Sequence, residues 1–406
     1  MEITILHYAA PPVVGGVEQV IAHQAELLTR AGHRVHILAG RGAAWDARIP
    51  FISLAEIDSR YPEALEIKSQ LDRGSIPAGF EPLCERIFGR LREVLAGERV
   101  VIAHNVASLN KNLALTVALE RLSQTPGTPR LVLWHHDLAW TTPRYQPELH
   151  SGWPWDLLRT PWTGAVQVTI SPARQQELAG LLGLPAEAIH MIPNGIDLQA
   201  ALRITDGGWA LASRLGLASC TPILLTPVRV TRRKNLELAL GITAELRKSL
   251  PRAALVITGP PGAHNPANLG YLRELQDLRD GLGLAGSAHL LAETCPDGLS
   301  DAGVTDLYQL ADALLLPSRE EGFGLPILEA GMARLPIFCS DLPPLRELAG
   351  NWATTFSPDA DPAQVAGAIA ARLESDPLYQ MRRRVRLAYS WEAVYSRSIA
   401  PLLEDL

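Results

Sequence analysis

The densest concentration of chemistry in this 406-residue sequence runs from Ser318 to Ala330, Ser-Arg-Glu-Glu-Gly-Phe-Gly-Leu-Pro-Ile-Leu-Glu-Ala. Gly322 and Gly324 free the backbone around Phe323 to approach a ligand. A helix starting near Leu325 would turn its unpaired N–H groups and positive dipole end toward the same place, which suits an anion. Glu321 stands before the turn and Glu329 eight residues later, inside the helix, so their carboxylates can accept hydrogen bonds from hydroxyls on different parts of one elongated ligand. A sugar or a ribose fits that description. An isolated G-x-G would instead mean only a strand-to-helix turn.

Three further segments could act with it. In Pro227-Val-Arg-Val-Thr-Arg-Arg-Lys-Asn235, Arg229 and Lys234 are close enough to converge on one diphosphate, Arg as a planar fork and Lys as a point charge. A solvated basic loop is the alternative. Gly15 and Gly16, in Pro11-Pro-Val-Val-Gly-Gly-Val-Glu18, allow close backbone approach to an anion or sugar at a helix start. Trp134-His135-His136-Asp137 closes an apolar run, and a His there can hydrogen-bond a sugar hydroxyl or handle a proton. Adjacent strand residues point to opposite faces, so one of His135 and His136 is expected to face a ligand. The following loop carries Trp140, Tyr145, Trp153, Trp155 and Trp162. Trp153 and Trp155 can form an acceptor-side platform for apolar sugar faces, or pack the loop's own core.

Short β-branched runs alternating with helical periodicity must position these segments, a pattern of parallel βαβ units and an α/β fold. Strands are expected at Ile3–His7, Val35–Ala39, Val100–Ala103, Leu131–Trp134, Val166–Ile170 and Ala188–Ile192. A second set is expected at Ile223–Thr226, Ala254–Thr258, His289–Leu291, Ala313–Leu316 and Ile337–Cys339. Two sets imply two doubly wound, Rossmann-like domains facing across a cleft. Each chemical segment then falls just after a strand, where such sheets bind ligands. The expected division is 1–197, 198–385 and a terminal helix at 386–406. Arg382, Arg383, Arg384 and Arg386 read as a solvated helix face.

Thirty-seven Lys and Arg against 43 Asp and Glu leave a net charge of −6, which argues against nucleic acid and polybasic membrane binding. The longest charge-free stretch, Ala253–Leu272, contains Gly259, Pro260, Pro261, Gly262, His264, Asn265 and Pro266, so no transmembrane segment is expected, while peripheral membrane contact stays open. No signal peptide is legible, and a cytoplasmic location is expected. Cys84, Cys220, Cys295 and Cys339 form no C-x-x-C and are read as small buried apolar residues; no metal site is expected. No Gly-rich dinucleotide fingerprint follows the first strand, which disfavours nicotinamide chemistry.

Taken together, the segments resemble the retaining glycosyltransferases of family 4, built on the two-domain GT-B fold. The matching pieces are Gly15-Gly-Val-Glu18, His136-Asp137, Pro193-Asn-Gly-Ile-Asp197, Arg229 with Lys234-Asn235, Glu321-Gly-Phe-Gly-Leu325 with Glu329-Ala330, and Ser390-Trp-Glu392. The resemblance implies that Glu321 and His136 (or His135) contact the transferred sugar, and that Gly322, Phe323, Gly324 and Leu325 present backbone N–H groups. It implies that Glu329 holds the ribose, Arg229 and Lys234 neutralise the departing diphosphate, and Gly16 lets the N-terminal loop reach the phosphates. It further implies retention without a cofactor or metal, and a final helix returning to the first domain. Where that family usually has Gly before the Arg of the basic loop, this sequence has Val228.

The expected activity is transfer of a hexose from a nucleotide-diphosphate sugar, with UDP-glucose and GDP-mannose favoured, to a hydroxyl of a soluble saccharide or small polyol. A nucleotide-sugar epimerase or hydrolase on the same fold, and a non-catalytic sugar-nucleotide-binding regulator, are the alternatives. Oligomeric state is not legible.

Overall fold

The computed structural model describes residues 1–261 and 267–406. Of the charge-free stretch noted above, Gly262, His264, Asn265 and Pro266 lie outside the described residues. The chain divides into a first unit, Met1–Gly195 with Trp391–Leu406, and a second, Ile196–Ser390.

In the first unit, β1 (Glu2–Ala9), β2 (Arg34–Arg41), β3 (Phe51–Ser53), β4 (Val100–His104), β5 (Arg130–His135), β6 (Val166–Thr169) and β7 (Ile189–Met191) form one sheet in the order β3-β2-β1-β4-β5-β6-β7. All its pairings are parallel. The second unit has β8 (Ile223–Thr226), β9 (Ala254–Ile257), β10 (Ala288–Leu290), β11 (Ala313–Leu316), β12 (Ile337–Ser340) and β13 (Ala353–Phe356), in the order β10-β9-β8-β11-β12-β13, again parallel throughout. Each order reverses direction once, between β1 and β4 and between β8 and β11. The carboxyl ends of those strands are the switch points where doubly wound sheets bind ligands.

The sequence reads as continuous apolar runs because helices cover both sheet faces. β4, β8, β9, β11 and β12 are buried at every position. The strands with no expectation in the sequence are β3 and β13, both on sheet edges and none of whose residues is buried. Half-solvated edges carry no long apolar run, so the signal that finds the central strands is missing there.

The crossings between units fall at Gly195/Ile196 and Ser390/Trp391 rather than at 197 and 385. Ile196 N–H donates to Tyr389 O at 2.7 Å and bridges to Ser390, which ties both segments into the second unit. Trp391, 3% exposed, begins the returning segment and lies against Gly195, where a Cβ would meet its ring at 2.4 Å. That contact explains the glycine of Asn194-Gly195.

Arg384 is exposed as expected, but Arg386 and Arg382 depart from the expected solvated face. Arg386 is buried, pairs with Asp312 Oδ2 at 2.6 Å, and donates to Leu310 O and Cys220 O at 2.9 Å each. Arg382 donates to Gln309 O at 2.7 Å. Asp312 also accepts from the Ile223 N–H at 2.9 Å, so the pair fastens this helix to the start of β8. Cys84 and Cys339 are buried as expected, whereas Cys220 and Cys295 are half-buried. No helix among the described residues is long and apolar enough to cross a membrane.

Candidate active site

In the second unit, two loops meet at the switch point. The loop after β8 carries Arg229 to Lys234, and the loop after β11 carries Ser318 to Gly324. Arg319 N–H donates to Arg233 O at 2.8 Å. Asn235, in the left-handed region at φ 53°, begins the helix Leu236–Ser249 and donates from Nδ2 to Pro317 O at 3.0 Å and Pro358 O at 2.8 Å. These bonds hold Lys234 over the turn. Its Nζ donates to Glu321 Oε1, which also accepts from Ser318 Oγ at 2.8 Å. The two charged side chains are 10% and 7% exposed, so this is a buried ion pair.

Beyond it lies a run of backbone donors. The N–H groups of Gly322, Phe323, Gly324 and Leu325 find no protein acceptor among the described residues. They precede or open the helix Leu325–Met332, whose dipole adds to their attraction for an anion. Gly324 is required twice: φ is +103°, and a Cβ would stand 2.5 Å from Leu345 Cδ2. Gly322 has open space instead. Four consecutive free donors beside a buried ammonium form a place for a phosphate.

Of the basic residues after β8, Arg229 is exposed and its guanidinium has no partner among the described residues, which leaves its charge available. Arg232 is turned away, donating to both oxygens of Glu274 at 2.7 and 2.8 Å and stacking 4.8 Å from the Tyr271 ring centroid. Val228 is buried in the second unit's core, so its side chain does not project from the loop. Gly259 lets the loop after β9 pack directly on this loop, since a Cβ there would stand 2.4 Å from Val228 O.

Glu329 is exposed on the helix and accepts from Tyr308 Oη at 2.6 Å. Burial and the neighbouring carboxylate push the Tyr308 hydroxyl up, so it remains a donor. Together with Thr305, Leu328 and Met332 they line a cavity of about 620 Å³. Glu321 does not line it; the two carboxylates serve different places.

In the first unit, Gly15 caps and Gly16 begins the helix Gly16–Arg30 that follows β1. A Cβ at Gly15 would meet only the movable end of the Glu18 side chain, and one at Gly16 would face open space, so neither glycine is required by packing. The histidines at the strand ends form a buried chain: His104 Nδ1 lies 2.9 Å from His136 Nε2, and His7 Nδ1 lies 2.8 Å from the His104 carbonyl. Asn105 Oδ1 accepts from the His136 N–H at 2.7 Å and fixes that corner. His135 is 2% exposed and bonds Gln167 Oε1 at 2.8 Å, so it packs in the interior. Burial above all lowers the pKa of His136 to about 3 and of His7 and His135 to about 4, and depresses His104 well below its ordinary value.

The two tryptophans separate. Trp155, 3% exposed, packs in the core against His150, so it forms no surface for a sugar. Trp153 is 44% exposed and meets Phe80 edge-on at 5.3 Å. The sequence reading missed His7, His104 and Asn105. His104 ends β4, Asn105 follows it, and His7 lies two residues before the end of β1, so inspection of the strand ends flanking the switch point would have found them. Among the described residues no group of three or more His, Cys, Asp or Glu is arranged to hold a metal ion.

Each unit is a doubly wound parallel sheet, and at the switch point of the second stand the buried Lys234–Glu321 pair and the free backbone donors that follow it. The family described as Glycosyltransferase Family 4 matches residues 14–200, and that described as Glycosyl transferases group 1 matches residues 210–388. A mannosylglucosylglycerate synthase from Petrotoga mobilis is 25% identical over 364 residues, covering 84% of this chain and 83% of that protein. An MMP alpha-(1->4)-mannosyltransferase from Mycolicibacterium hassiacum is 24% identical over 438 residues, covering 98% and 97%. A sucrose-phosphate synthase structure from Thermosynechococcus elongatus aligns over 99% of this chain and 98% of its own at 18% identity, with a TM-score of 0.38, too loose a likeness to carry any reading of the site. The chain belongs to the family 4 type of glycosyltransferases, and it is an enzyme that uses a nucleotide-sugar donor.

Proposed function

We propose that this enzyme transfers a hexose, with retention of anomeric configuration, from a nucleotide-diphosphate sugar to a hydroxyl of a soluble polyhydroxylated acceptor. The observation that carries the reading is the buried Lys234–Glu321 pair beside four free backbone N–H groups. In this reading the diphosphate lies on the N–H groups of Gly322 to Leu325, with Arg229 and Lys234 balancing its charge. Glu321 accepts from a hydroxyl of the sugar and Glu329 from the ribose. As the bond from C1 to the diphosphate oxygen breaks, negative charge grows on that oxygen, and preorganised donors stabilise it most at that moment. The acceptor oxygen forms the new bond to C1, and its proton passes to the departing phosphate on the same face. Both carboxylates serve as hydroxyl acceptors, which makes front-face substitution the economical path.

Side chains and backbone supply the charge stabilisation, so transfer without a metal is part of the proposal. One relative is named a mannosyltransferase and another is named as synthase of a mannosyl compound, which puts GDP-mannose beside UDP-glucose as the first donors to test. A cytoplasmic site of action goes with a nucleotide-sugar donor. The experiment is a thermal-shift screen of nucleotide sugars, since a matched donor stabilises the folded state by mass action. It is followed by transfer assays with the matched donor and NMR of the product anomer. An inverted anomer would remove the retaining mechanism, and hydrolysis with every acceptor tried would replace transferase by hydrolase.

A further inference from the structure

The first unit holds a cavity of about 390 Å³ beyond the carboxyl ends of β1 and β2, at the lower end of the ~300–1,000 Å³ span of small-molecule pockets. Four cationic side chains line it, Arg41, Arg60, Lys68 and Lys111, against one carboxylate, Glu18, in a chain whose net charge is −6. Two of these cations are neutralised by the protein. Arg41 Nε stands 3.1 Å from Asp58 Oδ2, and Lys68 Nζ stands 2.7 Å from Asp72 and 2.8 Å from Glu148. The charged ends of Arg60 and Lys111 have no ion pair or hydrogen bond among the described residues.

Isolated unpaired cations are ordinary on a surface; these two converge on one concavity. Lys111 Nζ is held 6.0 Å over the Tyr8 ring centroid. His7 lines the same cavity. Its Nδ1 faces the His104 carbonyl, which can only accept, so the hydrogen is on Nδ1 and Nε2 carries a lone pair. The cavity therefore offers two free cations and one neutral acceptor for a hydroxyl.

We propose that this cavity takes the acceptor substrate and that the acceptor is an anion: a small polyhydroxylated molecule whose carboxylate or phosphate lies between Arg60 and Lys111 while a hydroxyl donates to His7 Nε2. The proposal rests on the transferase reading above and adds the acceptor's charge to it.

The test uses the full chain, its matched donor, and acceptor pairs that differ only in the anion: glucose with glucose 6-phosphate, and glycerol with glycerate. The anionic member of at least one pair should be used with kcat/KM at least about tenfold higher, as expected for charge-assisted hydrogen bonds. The pair that shows the preference tells phosphate from carboxylate. In Arg60→Gln and Lys111→Gln the preference should fall toward parity through the acceptor KM, with the donor KM and acceptor-free donor hydrolysis unchanged. Equal use of neutral and anionic members by the wild type, or a preference unmoved in both variants, overturns the proposal. Absence of both transfer and donor hydrolysis in the wild type overturns the transferase reading instead, and this proposal with it.

Discussion

Removing one partner of the Lys234–Glu321 pair should cost the second unit stability as well as activity. The sequence alone suggests that alanine at either position abolishes transfer and leaves the fold intact, but the side chains are only 10% and 7% exposed. Glu321→Gln keeps an oxygen for Ser318 Oγ and removes the anion that Lys234 faces, leaving an uncompensated ammonium in a poorly solvated place. Breaking a buried pair costs about 3–5 kcal/mol, and the residual exposure puts the expectation near the lower end, about 3 kcal/mol. For a unit of this size that lowers the melting midpoint by roughly 6–12 °C. Lys234→Met should cost a similar amount by stranding the carboxylate. The double variant Lys234→Met with Glu321→Leu removes both charges and should recover stability to within about 1 kcal/mol of wild type, while transfer stays abolished. Urea unfolding, with hydrogen exchange read on the peptides of Leu236–Ser249, isolates this unit from the other. Single variants within about 0.5 kcal/mol of wild type, or a double variant that simply adds the two losses, would refute the reasoning.

Other outcomes follow from the same structure. Arg229→Ala should lower transfer without moving the melting midpoint, checked by paired kinetic and thermal assays, because its guanidinium is exposed and unpartnered among the described residues. Gly324→Ala should cost about 1–3 kcal/mol from its φ of +103° and weaken donor binding by displacing the free N–H groups, read by denaturation and donor titration. Trp155→Ala should destabilise by about 3–5 kcal/mol with Trp153→Ala under about 1 kcal/mol, and equal losses would contradict the burial difference. The buried histidines His7, His135 and His136 have folded pKa values of about 4, 4 and 3 against an ordinary 6.5, so the unfolded chain binds their protons first as pH falls. Stability of the first unit should therefore be full above about pH 6.5 and fall below it toward pH 4, by up to about 1.4 kcal/mol per pH unit for each histidine. A denaturation midpoint flat between pH 6.5 and 4.5 would contradict this.

The parallel α/β class, the central strands and the glycine-containing turn after β11 were legible because each leaves a local signature. Continuous apolar runs mark strands covered on both faces, and Glu321-Gly-Phe-Gly-Leu325 joins a strand end to a helix start within a few residues. The edge strands β3 and β13 were not, since half-solvated strands lack that run. Neither were partnerships across long separations. Nothing in the spacing says that Lys234 is stored against Glu321, that Arg232 is turned to Glu274, or that Arg386 is buried on Asp312. Those outcomes depend on which loops the sheet order brings together. The histidine chain shows the same limit: His7, His104 and His136 become neighbours only because β1, β4 and β5 are adjacent in the sheet, and burial then decides that they stay neutral. Sequence by itself determined which residue types stand at strand ends. Tertiary structure decided which charges are neutralised by the protein, and so which remain for a ligand.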